Sequence, residues 1–252
     1  MIRPFRYILL AIHFVIGSLL GLFYGIIRPF HPTNSRWCSQ TFAFFGLPMI
    51  GIRTSVEGVE NFGHKKGQPA RIMICNHQSN WDLFIVGSIV PPRTVSVGKK
   101  SLKWAPLFGQ LYWLAGNVLI DRGNRKKAME AMETTKNALT QKDTNIWFFA
   151  EGTRNHGKNM LPFKKGAFVT AINAGVPIVQ VCCSSYLKGF SLNNLDNGTA
   201  HLRVLPEIPT KDLTLDDVDS LMAQCHENMS KVIAELDAKE VARKAGDDKA
   251  AA

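Results

Sequence analysis

The segment Ile72-Met73-Ile74-Cys75-Asn76-His77-Gln78-Ser79-Asn80-Trp81-Asp82 constrains the fold more than any other part of the chain. It opens with a run, Arg71 to Cys75, that has the length and apolar character of a buried strand. Polar residues interrupt it, and a second apolar run, Leu83 to Val90, reads as a helix. Ser79 or Asn80 stands where an N-cap belongs, because its side chain accepts from the free amides of the next turn. Asp82 falls in that first turn, where the helix dipole favours a negative charge. On one continuous helix His77 and Asp82 would point about 140° apart. They meet if His77 rides the loop and Asp82 the helix behind it. In that geometry a carboxylate fixes the tautomer of an imidazole and stabilises its protonated form. A loop histidine that only caps an element end is the plainer reading of the same residues, so the rest of the chain decides.

Ahead of this segment, Ile8 to Ile27 is apolar except for His13 and a few Gly and Ser. As a helix those residues would measure about 30 Å, enough to cross a bilayer core. The run is long for a signal peptide and no small-residue cleavage site follows it. Arg3 and Arg6 precede it while Arg28 and Arg36 follow, so the distribution of positive charge gives no orientation. A second apolar stretch, Thr41 to Ile52, contains Gly46 and Pro48 and is too short to span alone. The expectation is a helical hairpin that dips into one leaflet from the cytosolic side; a spanning helix and a buried soluble helix are the competing readings.

Strands are expected around Thr54 to Glu57, Thr94 to Gly98, Asn117 to Ile120, Asn145 to Phe149, Ile178 to Cys183 and Ala200 to Leu205. Pro91-Pro92 ends the helix that follows Asp82. Ser101 to Gly109 is short helical or irregular, and Asn124 to Gln141 has helical composition. Gly166 to Asn173 is helical, stopped by Gly175 and Pro177. Leu215 to Leu236 is amphipathic, and the Lys/Glu/Asp/Ala-rich residues from Ala238 onward are expected to fray. Strands alternating with helices make an α/β protein: a single mixed sheet flanked by helices. The expected organisation is residues 1–52 as membrane-associated helices, 53–237 as the α/β domain and 238–252 as a charged tail.

A formal charge of +10 and a pI near 9.5 imply an anionic partner: nucleic acid, an acidic membrane surface or a phosphorylated substrate. Nucleic acid is set aside, because the chain has no recognisable binding motif and its apolar N-terminus would go unexplained. The five cysteines show no metal-ligand spacing, and Cys75, Cys182 and Cys183 lie in apolar runs, so they read as buried thiols of a reducing cytosol, with no metal site. Asn197-Gly198-Thr199 matches a glycosylation sequon and reads instead as a turn.

Polar residues gather at the ends of the expected strands: His77 and Asp82, Lys99 and Lys100, Asp121 and Arg122, then Glu151, Gly152, Thr153 and Arg154. In an open α/β sheet ligands sit beyond the carboxyl ends of the strands, so these groups converge on one cleft. Cations beside a base suit a phosphorylated alcohol, with guanidinium on phosphate and imidazole on a hydroxyl proton. No Walker lysine motif is present, which argues against nucleotide hydrolysis, and no Gly-x-Ser-x-Gly, which argues against an acyl-enzyme. Direct attack by a substrate hydroxyl is the simpler chemistry.

At these residues the chain resembles the bacterial 1-acyl-sn-glycerol-3-phosphate acyltransferases. Asn76-His77-Gln78-Ser79-Asn80-Trp81-Asp82 matches that family's Asn-His-x4-Asp block. Gly116-Asn117-Val118-Leu119-Ile120-Asp121-Arg122 matches the second block, Phe149-Ala150-Glu151-Gly152-Thr153-Arg154 the third, and Val176-Pro177-Ile178-Val179 the fourth. The third block carries Ala150 where many relatives have proline. The resemblance implies that His77 deprotonates the sn-2 hydroxyl of lysophosphatidate, with Asp82 aligning it. The oxygen then attacks a thioester carried by acyl carrier protein or coenzyme A, forming phosphatidate with no further cofactor. It implies that Arg122, Glu151, Gly152, Thr153 and Arg154 position the glycerol phosphate, with Lys99 as an additional cation and Lys100 behind it. It implies a place on the cytosolic face of the bacterial inner membrane, against an anionic lipid surface. An acyltransferase of the same fold with another acceptor is the alternative enzyme, and a catalytically silent lipid-binding membrane protein is the alternative class. Intact His77, Asp82, Arg122 and Glu151 weigh against the silent reading.

Overall fold

The computed structural model describes residues 3–63, 69–121, 133, 135–139 and 143–250, without the side chains of 247–250. Two N-terminal helices, α1 (Arg3–Ile27) and α2 (Thr33–Ile50), pack on each other as a hairpin. Then follow β1 (Arg53–Glu57), β2 (Ile72–Cys75), α3 (Asp82–Ile85), β3 (Thr94–Lys99), α4 (Phe108–Leu114), β4 (Val118–Ile120) and β5 (Asn145–Phe149). The chain closes with α5 (Gly166–Ala174), β6 (Ile178–Cys183), β7 (Thr199–Val204) and a long α6 (Val218–Ala250). The strands form one mixed sheet in the order β1-β7-β6-β2-β5-β3-β4. From β6 to β4 every neighbouring pair is parallel; β7 runs antiparallel to β6, and β1 is parallel to β7.

Both faces of the central strands are covered, as the uninterrupted apolar run of β2 and the mainly apolar β6 require. Met73 and Cys75 of β2, with Val179 and Val181 of β6, face a core shared with Leu10, Phe42, Ile50, Phe84 and Ile85 of α1, α2 and α3. The alternate residues, Ile72, Ile74 and Ile178, face Phe168 of α5 and Leu221, Met229 and Leu236 of α6. The period-two alternation of a strand thus splits one hydrophobic run between two cores. Because β2, β5, β3 and β4 are adjacent and parallel, their carboxyl ends share one edge of the sheet.

Several elements differ from the expectation. α2 starts at Thr33, eight residues before the apolar stretch that announces it. The helix expected over Leu83 to Val90 is one α-turn followed by a 3₁₀ segment, Val86–Ile89, where Gly87 lets Ser39 of α2 come so close that a Cβ would sit 3.2 Å from its carbonyl oxygen. Trp81 holds the cap position of α3; the Ser79 hydroxyl accepts the Trp81 amide, 3.0 Å away, one residue before the helix proper. The residues expected to fray continue α6 to Ala250, because Lys239 and Arg203 flank Glu57 at 2.5 and 2.8 Å and Glu240 reaches His201 at 3.2 Å. The sequon asparagine, Asn197, is buried, its amide donating to the carbonyls of Ile50 and Ser191. Most of the helix expected over 124–141 lies outside the described residues.

Candidate active site

His77 leaves the carboxyl end of β2, and Asp82 begins α3 five residues later. Asp82 is 2% exposed and its Oδ2 lies 2.6 Å from His77 Nδ1. A carboxylate only accepts, so Nδ1 carries the hydrogen and the lone pair of the neutral ring is on Nε2. Nε2 has no partner among the described residues, and the His77 side chain keeps 18% of its surface open. Asp82 Oδ2 also takes the backbone amides of Gln78 at 2.7 Å and Ser79 at 3.1 Å, closing the five-residue loop on itself. The imidazole stacks on Phe149 at the end of β5, with ring centroids 3.9 Å apart and planes 17° apart.

The loop is held from outside as well. Asn76 exchanges hydrogen bonds with the backbone of Cys183, donating to its carbonyl and accepting its amide, both at 2.9 Å. This carries the β2–β6 pairing one residue beyond the strand by means of a side chain. The backbone amides of Asn155 and His156 donate to the carbonyls of His77 at 2.8 Å and Gln78 at 3.0 Å. The loop after β5 is therefore zipped to the loop after β2.

Glu151 joins the two loops. Its Oε1 accepts the His77 amide at 2.7 Å, its Oε2 accepts the Leu161 amide at 2.8 Å, and Asn155 Nδ2 reaches both oxygens. Only 1% of Glu151 is exposed. Burial pushes its carboxyl above the usual carboxylate range, and the hydrogen bonds from His77, Leu161 and Asn155 oppose that. The sequence places Glu151 among the phosphate-positioning residues; the structure puts it beneath the base, with its oxygens engaged by protein donors.

The remaining candidates lie along the same sheet edge. Gly152 turns the chain with φ +69°, a left-handed conformation suited to glycine, and a Cβ there would also meet Lys164 Cγ at 3.0 Å. Thr153 and Arg154 follow it to the surface, and Arg154 makes no ion pair among the described residues. Lys99 is exposed at the end of β3, whereas Lys100 Nζ reaches Asp121 Oδ2 at 3.3 Å. Lys99, Lys100, Ser101, Lys103, Trp104, Ile120 and Asp121 line a cleft of about 400 Å³. Neighbouring strands are about 4.8 Å apart, so the ends of β2 and β3, two steps apart across β5, are roughly 10 Å apart. Arg122 lies outside the described residues. No group of three or more His, Cys, Asp or Glu side chains that could hold a metal ion occurs among the described residues.

Tyr186, just past β6, was not among the residues marked by the sequence. Its hydroxyl donates to Asp82 Oδ1 at 2.6 Å and lies 2.8 Å from Ser79 Oγ. No spacing signals this contact, since 104 residues separate the partners.

Comparison with known proteins places these motifs in context. An acyltransferase family model matches residues 53–184. The chain is 42% identical over 248 residues to a 1-acyl-sn-glycerol-3-phosphate acyltransferase of Haemophilus influenzae, with 96% of this chain and 99% of the relative covered. A 1-acyl-sn-glycerol-3-phosphate acyltransferase of Escherichia coli is 40% identical over 247 residues, with 97% and 98% covered. In fold, the chain is similar to the crystal structure of a 1-acyl-sn-glycerophosphate acyltransferase from Thermotoga maritima, with a TM-score of 0.68 at 23% identity, covering 93% of this chain and 97% of that one.

Proposed function

The chain belongs to the bacterial 1-acyl-sn-glycerol-3-phosphate acyltransferases, and from that membership we propose how its residues divide the work. It transfers an acyl group to lysophosphatidate and forms phosphatidate. His77 Nε2 takes the proton of the sn-2 hydroxyl as the oxygen attacks the thioester carbonyl. Asp82 holds the ring and stabilises the imidazolium that results. The tetrahedral intermediate collapses by breaking the C–S bond, and the proton on Nε2 passes to the departing thiolate. One ester forms, one thioester breaks, and His77 returns to its starting state. The observation that carries this reading is the 2.6 Å contact from Nδ1 to Asp82, which leaves Nε2 as the basic nitrogen.

Arg122 and Arg154 hold the glycerol phosphate, with Lys99 as the additional cation and Lys100 as its fallback. Arg154 suits the task because guanidinium forks onto phosphate oxygens, and it is exposed in the loop after β5, the strand next to both β2 and β3. Gly152 and Thr153 shape the turn that presents it, and Glu151 acts through the His77 loop. The acyl donor is a thioester of acyl carrier protein or coenzyme A. Exposed Arg154, His156, Lys158 and Lys164 around the same loop supply the positive field either donor would meet.

The enzyme works at the cytosolic face of the inner membrane, dipped into one leaflet through α1 and α2. Arg6 donates to the carbonyls of Leu192, Asn194 and Leu195 near one end of α1, and the Phe30 amide donates to the Leu114 carbonyl just past the other. Both ends of the 25-residue helix are thus tied to the same α/β domain. Its outer face exposes Ile8, Ile12, Ile16, Leu19, Phe23 and Ile27. A helix anchored this way supports contact with a single leaflet.

Acyl transfer by the purified chain, with lysophosphatidate and each thioester in turn, tests the assignment beside His77→Ala. Phosphatidate from the wild type and a loss on the order of 10²–10⁴-fold in the variant are expected. Transfer that survives in His77→Ala removes the base assignment and leaves the reaction standing.

A further inference from the structure

We propose that Tyr186 is a positioning residue for the transfer: held by Ser79, its hydroxyl shares the charge of Asp82 and so sets how strongly Asp82 draws a proton onto His77. The proposal rests on the reading of His77 as the base.

The hydrogen bonds have a determined direction. Asp82 accepts only, so the Tyr186 hydrogen is committed to Oδ1 at 2.6 Å. The Tyr186 oxygen then accepts from Ser79 Oγ at 2.8 Å, and Ser79 Oγ in turn accepts the Trp81 amide at 3.0 Å. A chain of donors runs from Trp81 through Ser79 and Tyr186 into one oxygen of Asp82, while His77 and two amides occupy the other. The two amides belong to the motif loop. Tyr186, 6% exposed, is the partner brought to Asp82 from a different strand end.

The consequence is electrostatic. Each donor draws charge from the carboxylate, and the fewer the donors, the more tightly the carboxylate holds an imidazolium. Other titratable groups face this pair from the packed elements. The thiols of Cys75 on β2 and Cys183 on β6 are pushed up by burial and stay neutral. Burial, and then the charge of Asp82, push the Tyr186 hydroxyl up, so it remains a donor. Glu151 meets the His77 backbone amide, while uncharged Phe149 covers the ring. Asp82 is the carboxylate in contact with the imidazole, and Tyr186 is the side chain from outside the loop that tempers it.

The test is kcat/KM against pH for the full chain in phospholipid–detergent micelles, comparing wild type, Tyr186→Phe, Ser79→Ala and His77→Ala. Tyr186→Phe is expected to move the acid limb to higher pH by roughly 0.5–1 unit. It would then be about 3- to 10-fold slower on the acid side and approach wild type at high pH. Ser79→Ala, which removes the donor to Tyr186, is expected to move the limb the same way by less, and it carries the test if Tyr186→Phe does not fold. A rate lowered by one factor at every pH, with the limb unmoved, makes Tyr186 a packing residue and overturns the proposal, as does an unchanged profile. Active His77→Ala with the wild-type profile brings down the base reading and this proposal together. Inactive His77→Ala beside an unmoved Tyr186→Phe limb removes only the role of Tyr186.

Discussion

At Glu151 the two carboxylate oxygens face two different backbone amides, those of His77 and Leu161. A glutamine there must turn its NH₂ toward one of those N–H groups, leaving a buried donor unpaired beside another donor. Such a loss costs about 1–3 kcal/mol. Glu151→Gln is therefore expected to lower thermal stability by that order and kcat by more than tenfold, because either the His77 amide or the Leu161 amide loses its acceptor and the loop that carries His77 shifts. KM for lysophosphatidate is expected to stay near wild type, which steady-state kinetics across acceptor concentration will check. A rise in KM at unchanged kcat would return Glu151 to the phosphate site. The sequence makes the His77–Asp82 pair legible because the spacing is local and only one loop geometry joins the two side chains. The actual partners of Glu151 and the presence of Tyr186 are set by contacts 74 and 104 residues apart, on which local spacing is silent.

Among the elements, α6 shows why composition misleads at a chain end. The Lys/Glu-rich stretch beyond Ala238 has the look of a solvated tail, yet Glu240 is buried enough to reach across to the sheet. Its carboxylate accepts from Arg243 at 2.8 Å, from the Thr199 amide at 3.1 Å and lies 3.2 Å from His201 Nε2. Burial pushes the Glu240 carboxyl up, but these donors outweigh it and hold the group down at about 2. A carboxylate depressed in the folded state stabilises the fold above its ordinary value of about 4.3 and loses that contribution as pH falls toward the folded value. Glu240→Gln is thus expected to lower the melting temperature at neutral pH, and the gap from wild type should close between about pH 4.3 and 2. Melting curves across that range decide it; a gap that persists unchanged at pH 2 would deny the carboxylate its part. The strands were readable by contrast, because β5 and β6 are short, mainly apolar runs, with Pro177 just before β6 and Gly152 soon after β5. What holds the end of α6 lies on β1 and β7, far away in sequence.

For the whole molecule, the order of strands was beyond the reach of the sequence, since nothing local says that β1 pairs with β7. The consequence of that order is nonetheless large: it gathers the ends of β2, β5, β3 and β4 on one edge, with α1 and α2 over the sheet face that carries Met73 and Cys75. Along α1, Leu10, Gly17, Gly21 and Gly25 turn inward, and the glycines admit Phe42, Leu111 and Leu114 to within contact of the helix backbone. Ile12, Ile16 and Leu19, each about half exposed, recur on the opposite stripe at helical spacing. None of the three belongs to either hydrophobic core among the described residues, so exchanging all of them for serine is expected to change the melting temperature by no more than a few degrees. Full burial of each such side chain in lipid is worth about 1.5–3 kcal/mol. Their joint removal should therefore cut partitioning onto anionic vesicles by well over tenfold, read by co-sedimentation. Raising salt separates the remaining contribution, because attraction between the +10 chain and anionic headgroups is screened while apolar insertion is not. Partitioning that persists in the serine variant and collapses in salt would assign membrane contact to charge alone, and α1 would then be a covering helix of the sheet.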